Sequence, residues 1–334
     1  MKLLSIHDSM IGLNEKQLLF LCDEKNAKKG IFPWVYWTSE LYSFGKYIRK
    51  YGYYPTFLPL TVYSDHSGPT FEEVPYKHEL ECGAPYFLTH SRKKAENYIF
   101  LTGMKSLVMF SPAVFYRRIN EISKLNDAKG TIAFPVHTLP NNDEIFDVKK
   151  YINELINLPE KFQPVSVCLH MHDINKGRHK FFLDSNIPVY TAGNSSDIRF
   201  IERLYSIIKN FNYTTSNYLG TITFYSIEMG IPFFIYGSKQ VDINKSDENF
   251  PLGLIKEKNN KDLDFLNFKL DYTNFDGTID REVLKYIEYK LGVNNGISRF
   301  RMAFVLWTSL FLWFFSIRSL SFFKISIRKI FNSK

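Results

Sequence analysis

Tyr213-Thr214-Thr215-Ser216-Asn217-Tyr218-Leu219-Gly220, followed by Thr221 to Met229, Gly230-Ile231-Pro232 and Phe233-Phe234-Ile235-Tyr236, is the stretch whose reading decides the fold. A short hydroxyl-rich strand meets a glycine turn; the helical segment after it is closed by Gly230 with Pro232 just beyond, and an apolar strand follows. Strand, helix, strand in so little chain predicts an α/β unit with parallel strands. The same alternation runs upstream. Thr131-Ile132-Ala133-Phe134 reads as a strand stopped by Pro135, and Val165 to Leu169 and Pro188 to Thr191 read as two more. Asn141-Asn142-Asp143-Glu144 is expected to open an amphipathic helix reaching about Leu158. Ser195-Ser196-Asp197 is expected to cap a helix with Ile198, Ile201, Leu204, Ile207 and Ile208 on one face.

Downstream, residues 239–277 are polar and read as a surface excursion, after which Asp280 caps a last helix, Arg281 to Leu291, ending at Gly292. In the first part, Leu18 to Leu21 and Leu41 to Tyr51 suggest helix or core, and Phe57 to Val62 and Leu107 to Ser111 suggest strands. Polar residues 126–130 mark a boundary, which gives domains 1–125 and 126–293 and a tail, 294–334. The 334 residues suffice for two ordinary domains, and 45% hydrophobic with 23% charged residues excludes wholesale disorder, a collagen-like fibre and a polytopic membrane bundle. Cys22, Cys82 and Cys168 are odd in number and unpaired in spacing, as expected in a reducing compartment. Met1 to Asp8 reaches a charge too soon for a signal peptide, so the bulk of the chain is expected in the cytoplasm.

The net charge is +8. Arg92-Lys93-Lys94 and Arg117-Arg118 read as solvated faces, with no recognition helix, zinc finger or RNA-binding aromatic signature beside them, so no nucleic-acid partner is expected. No G-x-G-x-x-G or P-loop occurs, which argues against a nicotinamide dehydrogenase or a P-loop kinase. At the far end, Met302 to Ile317 is sixteen residues without a charge, short of the roughly 20 that span a bilayer. Basic residues flank it, Trp307 and Trp313 lie within it, and Lys324, Arg328, Lys329 and Lys334 follow among apolar residues. A helix lying along the cytoplasmic leaflet is expected, with a buried core helix as the alternative; deletion of 300–334 would then release the protein from membranes.

Hydroxyls and free N–H groups at the Thr214–Gly220 turn suit a phosphate, although Ser and Thr also simply cap helices. This segment, with Ala133-Phe134-Pro135-Val136-His137-Thr138 upstream, resembles the nucleotide-sugar half of bacterial GT-B glycosyltransferases of capsule and lipopolysaccharide synthesis. It looks most like the CMP-sugar type, the sialyltransferases and Kdo-transferases. The resemblance implies two Rossmann-like α/β domains with a C-terminal hydrophobic or amphipathic helical segment. It also implies a metal-independent transfer from a nucleotide-sugar donor to a glycan or glycolipid acceptor, and no cofactor. Onto this chain it carries Asp65, with His66 beside it, as the catalytic acid motif. It carries His137, Thr215 and Ser216 as donor-phosphate residues; the reading of the turn and helix adds Asn217 and Gly220 as donor-binding residues and Glu228 as a contact to the donor's ribose or base. The chain departs from the family in that Pro135 precedes His137, where the family places a Pro after its His, and in that one acid stands before Gly68 where the family has two. Lys176 and Arg178 add positive charge for the leaving phosphate. His170, His172 and Asp173 invite a metal reading, but with no further ligand pair the expectation is that they line the cleft. A turn role for Asp65 stays open, as do a non-catalytic assembly protein of this shape and an epimerase or hydrolase on it.

Overall fold

The computed structural model describes residues 11–32, 35–66, 73–137, 142–246, 252–254 and 261–315. The chain is α/β and is built on two parallel sheets. Strands β1 (Tyr63–Ser64), β2 (Tyr86–Thr89) and β3 (Lys105–Val108) pair in sequence order, with Tyr63 opposite Phe87 and Leu88 opposite Leu107. Strands β4 (Thr131–Ala133), β6 (Val165–Cys168), β7 (Val189–Tyr190), β8 (Tyr213–Ser216) and β9 (Phe233–Ile235) form a five-stranded sheet in the order β7-β6-β4-β8-β9. That order runs outward from β4 through β6 to β7, then returns beside β4 and runs through β8 to β9, the doubly wound arrangement of Rossmann-like folds. A small antiparallel sheet joins β5 (Asn142–Ile145), β10 (Val241–Asn244) and β11 (Gly253–Leu254).

Alternation along the central strands explains why helices cover both faces. Ala133, Val167, Val189 and Phe234 face one core with Leu18 and Cys22 of α1 (Glu15–Cys22), and Tyr151, Ile152 and Leu155 of α6 (Val148–Ile156). Ile132, Cys168 and Tyr190 point the other way, toward Ile207 of α9 (Phe200–Ile208). The largest core lies between the two parallel sheets. It joins Tyr47 and Ile48 of α2 (Phe44–Tyr51), Val114 of α5 (Pro112–Ile119), Leu204 of α9, Phe224 of α10 (Thr221–Glu228), Ile287 of α12 (Arg281–Lys290) and Val305 of α13 (Arg299–Phe314). The shorter helices are α3 (Lys77–Leu80), α4 (Arg92–Thr102), α7 (Met171–Asn175), α8 (His179–Asp184) and α11 (Lys261–Leu270).

Several expected boundaries move. Phe57 to Val62 is irregular. Its carbonyls are taken by side chains, with Tyr54 Oη donating to Pro59 O at 2.9 Å and Ser39 Oγ to Val62 O at 2.9 Å, and Pro59 has no N–H for a ladder. The helix expected at Asn141–Glu144 gives way to β5, whose backbone is claimed by β10. The helix begins instead at Val148, where Asp147 accepts from Lys150 N at 2.9 Å. The polar stretch 239–277 holds α11, whose Leu263, Leu266 and Leu270 recur at helical spacing and are buried. Asp197 sits three residues ahead of α9 and binds Arg199 and Arg203 rather than capping the helix.

The ends of the described chain cross over. Leu13 N donates to Val189 O at 2.7 Å, so α1 rides on the five-stranded sheet. In the other direction α13 packs on α2 and the segment after it: Thr61 Oγ1 donates to Ser309 Oγ at 3.2 Å and Ser309 Oγ to Thr61 O at 2.9 Å. Met302, Val305, Leu306, Ser309 and Trp313 form its buried stripe, while the opposite stripe is exposed. Among the described residues no helix is long and apolar enough to cross a membrane.

Candidate functional site

The strand order reverses between β4 and β8, and at such a point in an open α/β sheet the loops after the strand ends part to leave a crevice. Three loops meet there. Asn217 ties two of their neighbours together: its Oδ1 accepts from Val136 N after β4 at 2.9 Å and its Nδ2 donates to Ser238 O after β9 at 2.9 Å. Ser216 Oγ accepts from Tyr218 N at 3.2 Å, and Thr215 Oγ1 donates to Phe234 O at 2.8 Å. All three are buried, so these side chains shape the turn. The open element is Gly220, the N-cap of α10: a Cβ placed there meets nothing within 4 Å. The Gly220 N–H is held by Thr223 Oγ1 at 3.3 Å, and the positive end of the α10 dipole lies at this open turn.

Beside the turn stand three imidazoles. His137, after β4, stacks on His170, after β6, with ring centroids 4.4 Å apart, and His172 lies 4.8 Å from His170. Burial, reinforced by His137 and His172, holds the His170 pKa well below the usual imidazole range; burial, His137 and Lys176 lower that of His172. His170 Nε2 is buried with no hydrogen-bond partner among the described residues. Lys176 therefore joins the group, whereas Arg178 is drawn aside to Asp173 Oδ1 at 3.2 Å and Gln240 Oε1 at 3.3 Å. Among the described residues no set of three or more His, Cys, Asp or Glu is placed to hold a metal ion.

At the carboxyl ends of the first sheet, Asp65 follows β1 and is buried, its N–H donating to Leu88 O at 2.7 Å. Its Oδ2 accepts from Lys94 Nζ at 3.0 Å and from Thr89 Oγ1 at 3.3 Å, and Lys94 Nζ also reaches Glu79 Oε1 at 2.9 Å. The solvated face expected for Arg92-Lys93-Lys94 fails at Lys94, whose side chain is 0% exposed. Two carboxylates offset the desolvation of its ammonium and hold its pKa above the ordinary value despite burial. Burial, with Asp65 adding, pushes Glu79 up to about 7 against the pull of Lys94. His66 and His90 flank the network, each brought down to about 4 chiefly by burial. Both His90 ring nitrogens are buried without a partner among the described residues.

Helix α10 comes within electrostatic reach of Asp65. The Tyr225 phenol on that helix is raised first by burial and also by the charge of Asp65, so the acid and the Gly220 helix border one region. Glu228 does not project into it. Arg117 grips Glu228 through Nε to Oε2 at 2.7 Å and Nη2 to Oε1 at 2.6 Å, and Arg118 adds Nε to Oε1 at 2.9 Å. The Arg117-Arg118 pair is thus a clamp of α5 on α10 as well as a surface feature. Sequence reasoning missed Glu79, His90, Lys94, Arg117 and Tyr225. Only Lys94 left a trace, in sharing one helical face with Ala95 and Tyr98, both buried. A separate groove of about 490 Å³, lined in part by Phe268, Lys269, Asp276 and Arg281, shares no residue with either group. No family model, curated protein or solved structure matches the chain.

Proposed function

We propose that this protein is a GT-B-type glycosyltransferase that moves a sugar from a nucleotide donor, CMP-sugar favoured, to a surface glycan or lipid-linked acceptor at the cytoplasmic face of a bacterial membrane. The observation that carries the reading is that each parallel sheet has a polar group at its strand ends, Asp65 with His66 on one and Gly220, His137 and Lys176 on the other, with Tyr225 of α10 within electrostatic reach of Asp65. In the reaction the acceptor hydroxyl attacks the anomeric carbon, the bond from that carbon to the phosphate oxygen breaks, and the nucleotide leaves with the electron pair. The positive end of the α10 dipole, with Lys176 and His137, stabilises the charge that develops on the phosphate. Asp65 takes the hydroxyl proton, and Lys94 fixes the carboxylate's orientation. Glu228 serves by holding α10 in place. The choice of CMP rests on the sequence resemblance around His137 and Thr215-Ser216.

One observation favours a second reading, a non-catalytic assembly protein of the same shape. Asp65 is 1% exposed and already bound by Lys94 and Thr89, as a purely structural acid would be. A thermal-shift titration with CMP, UDP, GDP and ADP, followed by nucleotide release from the matching donor sugar with and without acceptor, separates the two. Stabilisation by one nucleotide and acceptor-dependent release that Asp65→Asn abolishes without loss of nucleotide binding are expected. No stabilisation by any nucleotide would favour the assembly protein. Release independent of acceptor would indicate a hydrolase or epimerase.

A further inference from the structure

Helix α13 has two apolar faces, and the fold uses only one. Met302, Val305, Leu306, Ser309 and Trp313 pack inward, and a Cβ added at Gly52 would stand 2.7 Å from Leu306 Cδ1, so the helix is pressed against the protein. The outer stripe, at the same helical spacing, is aromatic: Phe300 is 80% exposed, Phe304 69%, Phe311 64% and Phe315 73%, with Trp307 and Phe314 about half exposed. Tyr53 extends it, its ring 6.0 Å from that of Phe300. Scattered exposed apolar residues are ordinary, but a continuous aromatic stripe is a docking face.

We propose that the outer face of α13 is a monotopic membrane-binding surface, lying in the headgroup layer of an anionic bilayer with the helix axis along the plane. Charge selects this occupant. Residues 299–334 contain no Asp or Glu, and Arg301 and Lys50 are exposed next to the stripe, where Arg299 Nη2 donates to Lys50 O at 3.1 Å. A second copy docked about a twofold axis would set this basic rim against itself. Anionic lipid complements it, and Trp and Phe are side chains suited to the interface. The chain continues beyond Phe315 with Arg318, Lys324, Arg328, Lys329 and Lys334 and no acid, prolonging the same pattern. Crossing is excluded for α13 itself, since sixteen residues make about 24 Å of helix and one side is bonded to the protein.

The proposal does not rest on the transferase reading, because its test uses neither nucleotide nor turnover. Full-length protein is floated with vesicles of phosphatidylcholine alone and of phosphatidylcholine with phosphatidylglycerol. Binding to the anionic vesicles that weakens with salt is expected, with at least about a tenfold drop in Phe304→Glu/Phe311→Glu. In wild type, lipids brominated on the acyl chain should quench tryptophan emission, and Trp307→Phe should remove most of that quenching while flotation persists. This second readout needs no charged variant to fold. Undiminished flotation of a folded Phe304→Glu/Phe311→Glu protein would overturn the proposal. So would a wild-type dimer that this variant splits while neither form floats, which would make the face a self-association surface. Loss of binding on truncation after Phe315, with the double variant in the full chain unaffected, would assign the anchor to residues 316–334 instead.

Discussion

Lys94 shows how a single side chain can be misread from its neighbours. In the sequence it closes a basic triplet, yet Arg92 and Lys93 face water while Lys94 turns inward to Asp65 and Glu79. Removing it leaves two buried carboxylates without their cation, so Lys94→Met is expected to lower stability by about 3–5 kcal/mol, measured by urea denaturation. The same network sets a pH dependence. His66 and His90 titrate near 4 in the fold against an ordinary value of 6.5, so between those values the unfolded chain binds more protons, and their contribution to stability rises with pH and is lost as pH falls. Glu79, raised from 4.5 to about 7, works in the opposite sense: there the folded state holds the extra proton, and its contribution declines as pH rises through that window. Thermal melts from pH 4 to 7 should show a shallower acid limb in His90→Phe and a stability that no longer declines with pH through the upper part of the range in Glu79→Gln. Unchanged profiles would remove these groups from the account. None of this was legible in the chain, since Asp65, Glu79 and Lys94 are separated in sequence and meet only when β1, α3 and α4 pack.

Among the elements, the β8–α10–β9 unit was legible because each of its boundaries is chemically marked: hydroxyls in the strand, Gly220 at the N-cap, and Gly230 at φ +84° ahead of Pro232. The role of Glu228 was not, because its arginine partners come from α5. Glu228→Gln is expected to weaken the α5–α10 clamp and cost on the order of 1–3 kcal/mol, as hydrogen bonds to charged groups do. If the clamp positions the helix that meets the donor phosphate, nucleotide affinity should fall with it in the same thermal-shift titration. A second element-scale junction is the end of α12, where Gly292 at φ +69° brings the chain onto the loop after β3. A Cβ there would stand 2.1 Å from Met109 O. Gly292→Ala should therefore destabilise by more than about 1 kcal/mol, read as a lower midpoint in thermal unfolding. The helix expected at Asn141–Glu144 was lost for a reason invisible locally: β10, about a hundred residues on, pairs with that backbone.

At the scale of the whole molecule, the crossing of α13 onto α2 changes what a truncation means. Deleting 299–334 removes the side chains that cover Gly52, Thr61 and Tyr54. It is expected to yield an aggregating or partly unfolded protein by circular dichroism and size-exclusion chromatography, rather than a folded protein released from membranes. A compact, cooperatively melting truncation would show that α13 is dispensable to the core. Sequence by itself determined the parallel α/β pattern of residues 131–236, the caps at Gly220, Asp280 and Gly292, and the apolar, acid-free character of the C-terminal segment, because each is written in local periodicity and turn chemistry. Only the tertiary structure decided that Lys94 is buried, that Glu228 faces Arg117 and Arg118, that His137 stacks on His170, and that α13 hides one mostly aliphatic stripe while presenting an aromatic one. Those outcomes depend on which distant surfaces meet, and burial and charge pairing are properties of the meeting, not of either segment alone.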